Sequence, residues 1–273
     1  MVMIAQMKDK TKLREKIHLA VSELYSTVAS KPHSPFHFVL GKDAAEIAGY
    51  PKKLLSNLPD KALESFAGVG FHFQTEVIKK GDHVLDIGSG SGTDLLIAAK
   101  LVGSKGKVMG VDITDAMIKK ARQNAKVNGF SNISIVKADA EDLPFKDKAF
   151  DVVISNGVIN LILDKKKVFK EIYRVLKPGG VLSIADITLG KSISDESRQN
   201  PRLWAECIVG AEPEDNYLKI IKEAGFSDIE VIDEIDCFAA SPSENTREVA
   251  KSFLAHGIVL KASKKGGEKH GKN

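Results

Sequence analysis

Cysteine is nearly missing from this chain. Only Cys207 and Cys237 stand among its 273 residues. Two thiols cannot build the disulfide framework of a small secreted domain, and their scarcity suits a reducing, cytoplasmic compartment. Long apolar runs are missing too: none approaches the roughly 20 residues that cross a bilayer. The apolar stretch within Met1–Lys10 is too short for a secretory leader. Excess charge is scarce. The net charge is +4, and the five lysines from Lys261 onward, set against Glu268, carry all of it. The remainder is formally neutral, so a basic face for nucleic acid is not expected. The Gly- and Lys-rich end, 263–273, reads as a disordered, solvated tail. No internal repeat is visible.

The chain does have a composition with 43% hydrophobic and 28% charged residues, ordinary for a globular protein long enough to bury a sizeable core. From Lys80 onward apolar strand patterns alternate with helical ones. Strands are predicted at His83–Ile87, Lys107–Ile113, Ile133–Lys137, Asp151–Ser155 and Val181–Ile187. Helices are predicted at Asp94–Val102, Thr114–Asn128 and Lys165–Leu176. That alternation implies a mainly parallel sheet with helices on both faces. Two last strands, Ile229–Ile235 and Gly257–Ala262, suit an antiparallel closure of one edge. The expected fold is therefore α/β, Rossmann-like, with seven strands.

The chemistry is concentrated at His83–Asp94, H-V-L-D-I-G-S-G-S-G-T-D. A strand runs into Gly88, Gly90 and Gly92, and a helix follows at once. Bare backbone in such a turn lets a ligand approach closely. The dinucleotide pattern needs Gly or Ala at 93, and Thr93 stands there. Asp86 would repel a pyrophosphate but suits a ligand carrying an ammonium or hydroxyls. S-adenosylmethionine is such a ligand; any α/β protein with a glycine-rich first turn is the other reading. Asp112, at the end of the second strand, has the spacing of a ribose-binding acid, or else it caps the helix that follows. Asp139-Ala140 after the third strand offers an acceptor for an adenine amino group and a small residue beside the ring, or is an ordinary acidic turn. Ser89 and Ile113 complete this cofactor set. Ser155-Asn156-Gly157-Val158 leaves the fourth strand, where a methyl group would meet its acceptor. It lacks the Asn/Asp-Pro-Pro-aromatic signature of base-amino methylation, which disfavours a nucleobase substrate. The turn Lys177-Pro178-Gly179-Gly180 carries no catalytic expectation.

Residues 1–78 precede the first strand as a helical extension. Lys8–Ala29 has the spacing of an amphipathic helix, with Leu13, Ile17, Ala20, Val21 and Leu24 on one face. Because ligands bind at the carboxyl ends of the strands, this extension is either a lid over the pocket or a helical layer on the sheet. His72, beside the glycine turn Gly68-Val69-Gly70, is the leading candidate for a general base; a packed imidazole is the alternative. His33 and His37 have i,i+4 spacing, but Pro35 breaks the helix a metal pair would need. No metal site is expected.

Taken together, these motifs resemble class I S-adenosylmethionine-dependent methyltransferases over Lys79 to about Ala262. Further runs resemble the arsenite methyltransferase family: S-N-x-V-I-N-L at Ser155–Leu161, the run Asp164–Gly180, W-x-E-C at Trp204–Cys207, E-A-G-F at Glu223–Phe226, and Gly49–Leu55. The resemblance implies a methyltransferase domain over 79–262 with a substrate-pocket insertion near 192–214, where Trp204 and Glu206 either shape the acceptor pocket or belong to the core. It implies S-adenosylmethionine as cofactor, held by Asp86, Gly88, Ser89, Gly90, Gly92, Asp112, Ile113, Asp139, Ala140 and Asn156. It also makes His72, Asn156 and Cys207 the catalytic candidates. That family binds trivalent arsenic through cysteines. Here Gly157 and Val69 stand at two of those positions, and only Cys207 remains. A single thiolate does not make a three-coordinate sulfur site, and nothing in the sequence relates Cys237 to Cys207. The expected acceptor is therefore a small organic molecule of apolar character. The alternatives are arsenite held by Cys207 plus external thiols, or a cofactor-binding protein without turnover.

Overall fold

A computed structural model describes residues 2–194, 198, 200, 204 and 207–266, with side chains from Thr11 onward. The expected disordered tail 263–273 is ordered at its start, where Ser263 ends the last strand and Lys264 is held by the carbonyls of Tyr173 and Leu176; 267–273 and the expected pocket residue Glu206 lie outside the described residues.

Eight strands form one sheet in the order β3-β2-β1-β4-β5-β8-β7, with β6 paired to β5. They are β1 His83–Ile87, β2 Lys107–Asp112, β3 Ile133–Lys137, β4 Phe150–Asn156, β5 Leu176–Leu189, β6 Glu212–Pro213, β7 Ser227–Ile235 and β8 His256–Ser263. The seven expected strands are all present, and β6 is a two-residue addition from the insertion region. Pairing is parallel from β3 to β5, while β8 runs antiparallel to both β5 and β7. The central strands are apolar on both faces because helices cover both: Val84, Leu85, Val152, Val153 and Ile154 are all buried. At Lys177–Gly180 the β4–β5 register jumps from Phe150↔Leu176 to Val152↔Val181, so the expected turn loops out of the ladder.

The helices are α1 Val2–Ser30, α2 Gly41–Ile47, α3 Lys52–Leu55, α4 Asp60–Leu63, α5 Thr93–Val102, α6 Asp115–Val127, α7 Lys165–Val175, α8 Glu214–Glu223 and α9 Glu244–Phe253. Among the described residues, none is long and apolar enough to cross a membrane. From β1 the chain builds outward through β2 and β3, then returns beside β1 with β4. The strand order therefore reverses between β1 and β4, the point where open α/β sheets bind ligands at the carboxyl ends of their strands.

A buried polar network fixes the insertion region to this sheet. Lys165, at the start of α7, donates to the carbonyls of Asn160, Ile162 and Gly210 at 3.2, 2.8 and 2.6 Å. Its ammonium stands 5.3 Å from the Trp204 ring centroid. Trp204 is itself fully buried within an apolar cluster, the core alternative for that residue. On β5, Asp186 accepts from the Tyr217 hydroxyl at 2.5 Å and from the Asn160 amide at 3.2 Å. Burial pushes the Asp186 carboxyl up to about 6 and the Lys165 ammonium down to about 8.

A carboxyl held above its unfolded range favours folding in its protonated form. The stability Asp186 contributes is then full below about pH 4 and is lost as pH rises through about 6. Urea denaturation across this window should give a wild-type unfolding free energy that falls by on the order of 2 kcal/mol from this group. Asp186→Asn should remove that part of the slope; an unchanged slope would place the titration elsewhere.

Candidate active site

One cavity opens at the carboxyl ends of β1, β2, β3 and β4. The glycine turn after β1 forms its floor. The amides of Gly88 and Ser89 both donate to the Val111 carbonyl, at 2.8 and 2.9 Å, which ties the turn to the end of β2. Gly88 has a φ of +70°, and a Cβ there would sit 2.3 Å from Val158 Cγ2. The turn therefore needs glycine both for its dihedral and for the side chain packed against it. Gly92 plays a different part. It starts α5 at a φ of +93°, and a Cβ on it would meet Ala121 of α6 at 3.3 Å. It is set back from the cavity lining, and its small size serves the packing of α5 on α6.

The other expected cofactor residues, Asp86, Gly88, Ser89, Gly90, Asp112, Ile113, Asp139, Ala140 and Asn156, all line the cavity. Asp86 is only 3% exposed. Its Oδ2 is buried with no hydrogen-bond partner, and so is Ser89 Oγ. Burial, reinforced by the nearby carboxylates Asp94 and Asp112, holds the Asp86 carboxyl well above its usual range. Asp112 accepts from the Gly90 amide at 2.9 Å and from the Thr114 amide at 2.8 Å. It thus braces the glycine turn and the exit from β2. Burial also raises its pKa, against those hydrogen bonds. Asp139 Oδ1 accepts from the Glu141 amide at 2.9 Å.

Asn156, at the end of β4, is the hub of the inner wall. Its Oδ1 accepts from the Val69 amide at 2.8 Å. Its Nδ2 lies 2.9 Å from the Gly70 carbonyl, 3.0 Å from Tyr50 Oη and 3.2 Å from Asp94 Oδ2. Asp94, in the first turn of α5, also accepts from the Tyr50 hydroxyl at 2.7 Å and lies 3.0 Å from His72 Nε2. The glycine turn 68–70 is therefore strapped to β4 through one amide side chain. A Cβ on Gly68 would fall 2.6 Å from Asn156 Nδ2.

His72 is not in the cavity wall. Its ring is fully buried behind Asp94, with Nδ1 unpartnered. A general base must reach the proton it removes, and this imidazole faces Asp94 instead. The packed alternative describes its position, and the ring orients Asp94. Neither thiol lines the cavity among the described residues. Cys207 takes a φ of +72°, and its carbonyl accepts from Asn160 Nδ2 at 2.8 Å. Burial raises the pKa of the cavity residue Tyr25, and the Cys207 thiol beside it acts in the same direction. Cys237 packs against the same apolar cluster as Cys207. Burial, with Cys207 nearby, pushes its thiol up to about 12. The two cysteines, unrelated in sequence, are neighbours in space.

Several site residues were not legible beforehand. Tyr50 falls within the Gly49–Leu55 run and Asp94 closes the glycine stretch, but neither pattern marks the contact they make with each other. His18, Val21 and Tyr25 of α1 line the outer wall; their helical spacing was the one available signal. Much of the cavity lining is apolar, with Val21, Tyr25, Ala67, Val158, Leu161 and Ile162. Beside it, Val69 Cγ1 lies 3.4 Å from where a Cβ on Gly157 would stand.

Comparison with known proteins is consistent with this geometry. Residues 78–225 match the model of the methyltransferase domain family. The arsenite methyltransferase of Halobacterium salinarum is 36% identical over 187 residues, 68% of this chain and 48% of that protein. The ubiquinone/menaquinone biosynthesis C-methyltransferase of Klebsiella pneumoniae is 41% identical over 113 residues, 41% of this chain and 45% of that one. The crystal structure of an arsenic(III) S-adenosylmethionine methyltransferase from Chlamydomonas reinhardtii superposes with a TM-score of 0.66 at 30% identity, covering 83% of this chain and 74% of that one. The chain spans about half the length of the curated relatives it matches.

Proposed function

The chain belongs to the methyltransferase domain family, and on that premise we propose that it transfers the methyl group of S-adenosylmethionine to a small organic acceptor of apolar character. The cofactor supplies an activated methyl on a sulfonium, so the protein's task is alignment and exclusion of water. The residues present fit it. Asp86 offers a buried carboxylate oxygen that lacks a partner, suited to the cofactor's ammonium. A Cβ on Gly90 would meet nothing within 4 Å, which leaves bare backbone on the cavity floor. Asp112, with Ser89 and Ile113 beside it, would hold the ribose; Asp139 and Ala140 would hold the adenine. Asn156 would position the wall next to the transferred methyl, and His72 would fix Asp94 behind it.

The apolar lining of the cavity carries the organic-acceptor reading. No thiol lines the cavity among the described residues, and Val69 and Gly157 occupy positions where the arsenite methyltransferase pattern has cysteines. Soft trivalent arsenic prefers sulfur. The similarity to a C-methyltransferase of quinone biosynthesis agrees with an organic acceptor. A second reading is arsenite methylation through Cys207 plus external thiols. It draws on the arsenite methyltransferase relatives and on the grouping of Cys207 with Cys237.

Calorimetric titration with S-adenosylmethionine, then arsenite, separates the two readings in wild type and Cys207→Ser. We expect cofactor binding in both proteins and no arsenite signal in either. Tight arsenite binding that vanishes in Cys207→Ser would establish the second reading instead. Absence of cofactor binding would overturn both.

A further inference from the structure

One face of α1 carries a continuous stripe: Arg14, His18, Val21, Tyr25 and Val28, at spacings of four, three, four and three. Such residues share one side of a helix, and this stripe runs about 21 Å from end to end. Its three middle members, His18, Val21 and Tyr25, line the outer wall of the cavity. The two ends are attached in different ways.

The C-terminal end is pinned through its backbone. Ser65 Oγ donates to the Val28 carbonyl at 2.9 Å, and Lys120 Nζ donates to the Ala29 carbonyl at 3.1 Å. Lys120 is itself held by Glu64 and Ser65, at 2.6 and 2.8 Å. The other end rests its apolar face, Leu13, Ile17 and Ala20, on the cluster that holds Trp204, and side-chain charge ties it to the cavity rim. Arg14 Nη2 donates to Asp139 Oδ2, and Arg14 Nε lies 3.2 Å from Glu141 Oε2. His18 Nε2 stands 3.8 Å from the same Asp139 oxygen. The Arg14 side chain is 31% exposed, so water and salt reach it. Both acids sit on the loop after β3, and that loop also brings Ala140 into the cavity.

We propose that Arg14 is the latch of a lid: by pairing with Asp139 and Glu141 it closes α1 over the adenine end of the cavity, and the cofactor enters and leaves when that pairing breaks. The pinned segment 28–30 is the hinge. Arg14 is a positioning residue, acting through Asp139 and through the wall formed by His18, Val21 and Tyr25. This inference rests on the cofactor reading above, because it assigns Asp139 to the adenine side.

The test uses the full chain, with S-adenosylhomocysteine as the probe and its displacement followed by stopped flow. In wild type, dissociation should accelerate with added sodium chloride, because an ion pair at a partly exposed site is screened. Arg14→Gln should dissociate about tenfold faster at low salt, since lost interface contacts act mainly on release, and its rate should be insensitive to salt. Arg14→Lys should keep most of the slow release. In the free protein, hydrogen exchange should speed up in 11–24 of Arg14→Gln and stay unchanged in 28–30.

Equal dissociation rates in wild type and Arg14→Gln would overturn the latch, as would uniform exchange along α1 in both proteins. Should Arg14→Gln fold poorly, the wild type still decides: a dissociation rate indifferent to salt overturns the proposal. Wild type that does not bind the probe at all would sink the cofactor reading, and the latch with it; that result is distinct from binding without Arg14 dependence.

Discussion

Asp86→Asn should abolish most S-adenosylmethionine affinity and, in the same protein, raise the stability of the free chain. Both effects come from one atom. Asp86 Oδ2 is buried without a partner, and burial together with Asp94 and Asp112 holds the carboxyl well above its usual range. A cation placed against it satisfies that oxygen. Removing the charge from such a buried pair costs about 3 kcal/mol, a loss of roughly a hundredfold in affinity. In the free protein no such cation compensates the ionised form.

The sign follows from linkage. A carboxyl with a raised folded pKa favours folding while protonated, and that contribution is lost as pH rises through the folded value. An amide escapes this loss. Asp86→Asn should therefore unfold at a higher temperature at neutral pH, by roughly 1 kcal/mol or a few degrees. Wild-type cofactor affinity should strengthen as pH rises through the Asp86 titration. Scanning calorimetry and isothermal titration on the two proteins check all three. Asp86→Asn binding as tightly as wild type would remove Asp86 from the cofactor site.

The second large effect is expected at Gly88. Alanine there meets Val158 Cγ2 and Cγ1 at 2.3 and 2.6 Å and must hold a φ of +70°. Overpacking and the left-handed backbone together should cost about 3 kcal/mol. The turn would shift off the Val111 carbonyl, and cofactor binding would fall with it. Gly90→Ala is the informative contrast. Its φ is +52° and its Cβ would meet nothing within 4 Å. The fold should lose only about 1 kcal/mol, while the methyl would project into the space assigned to the cofactor.

Urea denaturation should rank Gly88→Ala well below Gly90→Ala in stability, whereas both should bind S-adenosylmethionine poorly. Val158→Ala added to Gly88→Ala should restore part of the stability by removing the clash. Equal stability of the two glycine variants would show that Val158 yields at no cost.

The sequence by itself determined what depends on near neighbours. Strands β1 to β5, β7 and β8 follow from short apolar runs, and their alternation with helical spacing required a mainly parallel sheet. In that sheet Asp86, Asp112 and Asp139 come at or just past successive strand ends, so their convergence on one cavity could be read from chain order alone. Gly88 could be read because a turn between strand and helix imposes a local dihedral.

Only the tertiary structure decided the rest, because those contacts join distant segments that no periodicity links. Arg14 meets Asp139 across 125 positions, and Tyr50 meets Asp94 across 44. His72 lies next to a glycine turn in sequence, yet the turn carries it behind Asp94 and out of the cavity wall. Gly92 belongs to the glycine motif, yet its bare Cα faces α6. Cys207 and Cys237 come together because the chain after β5 and the chain after β7 pack into one apolar cluster. A linear pattern records which face of an element is apolar; which other element covers that face is settled by packing.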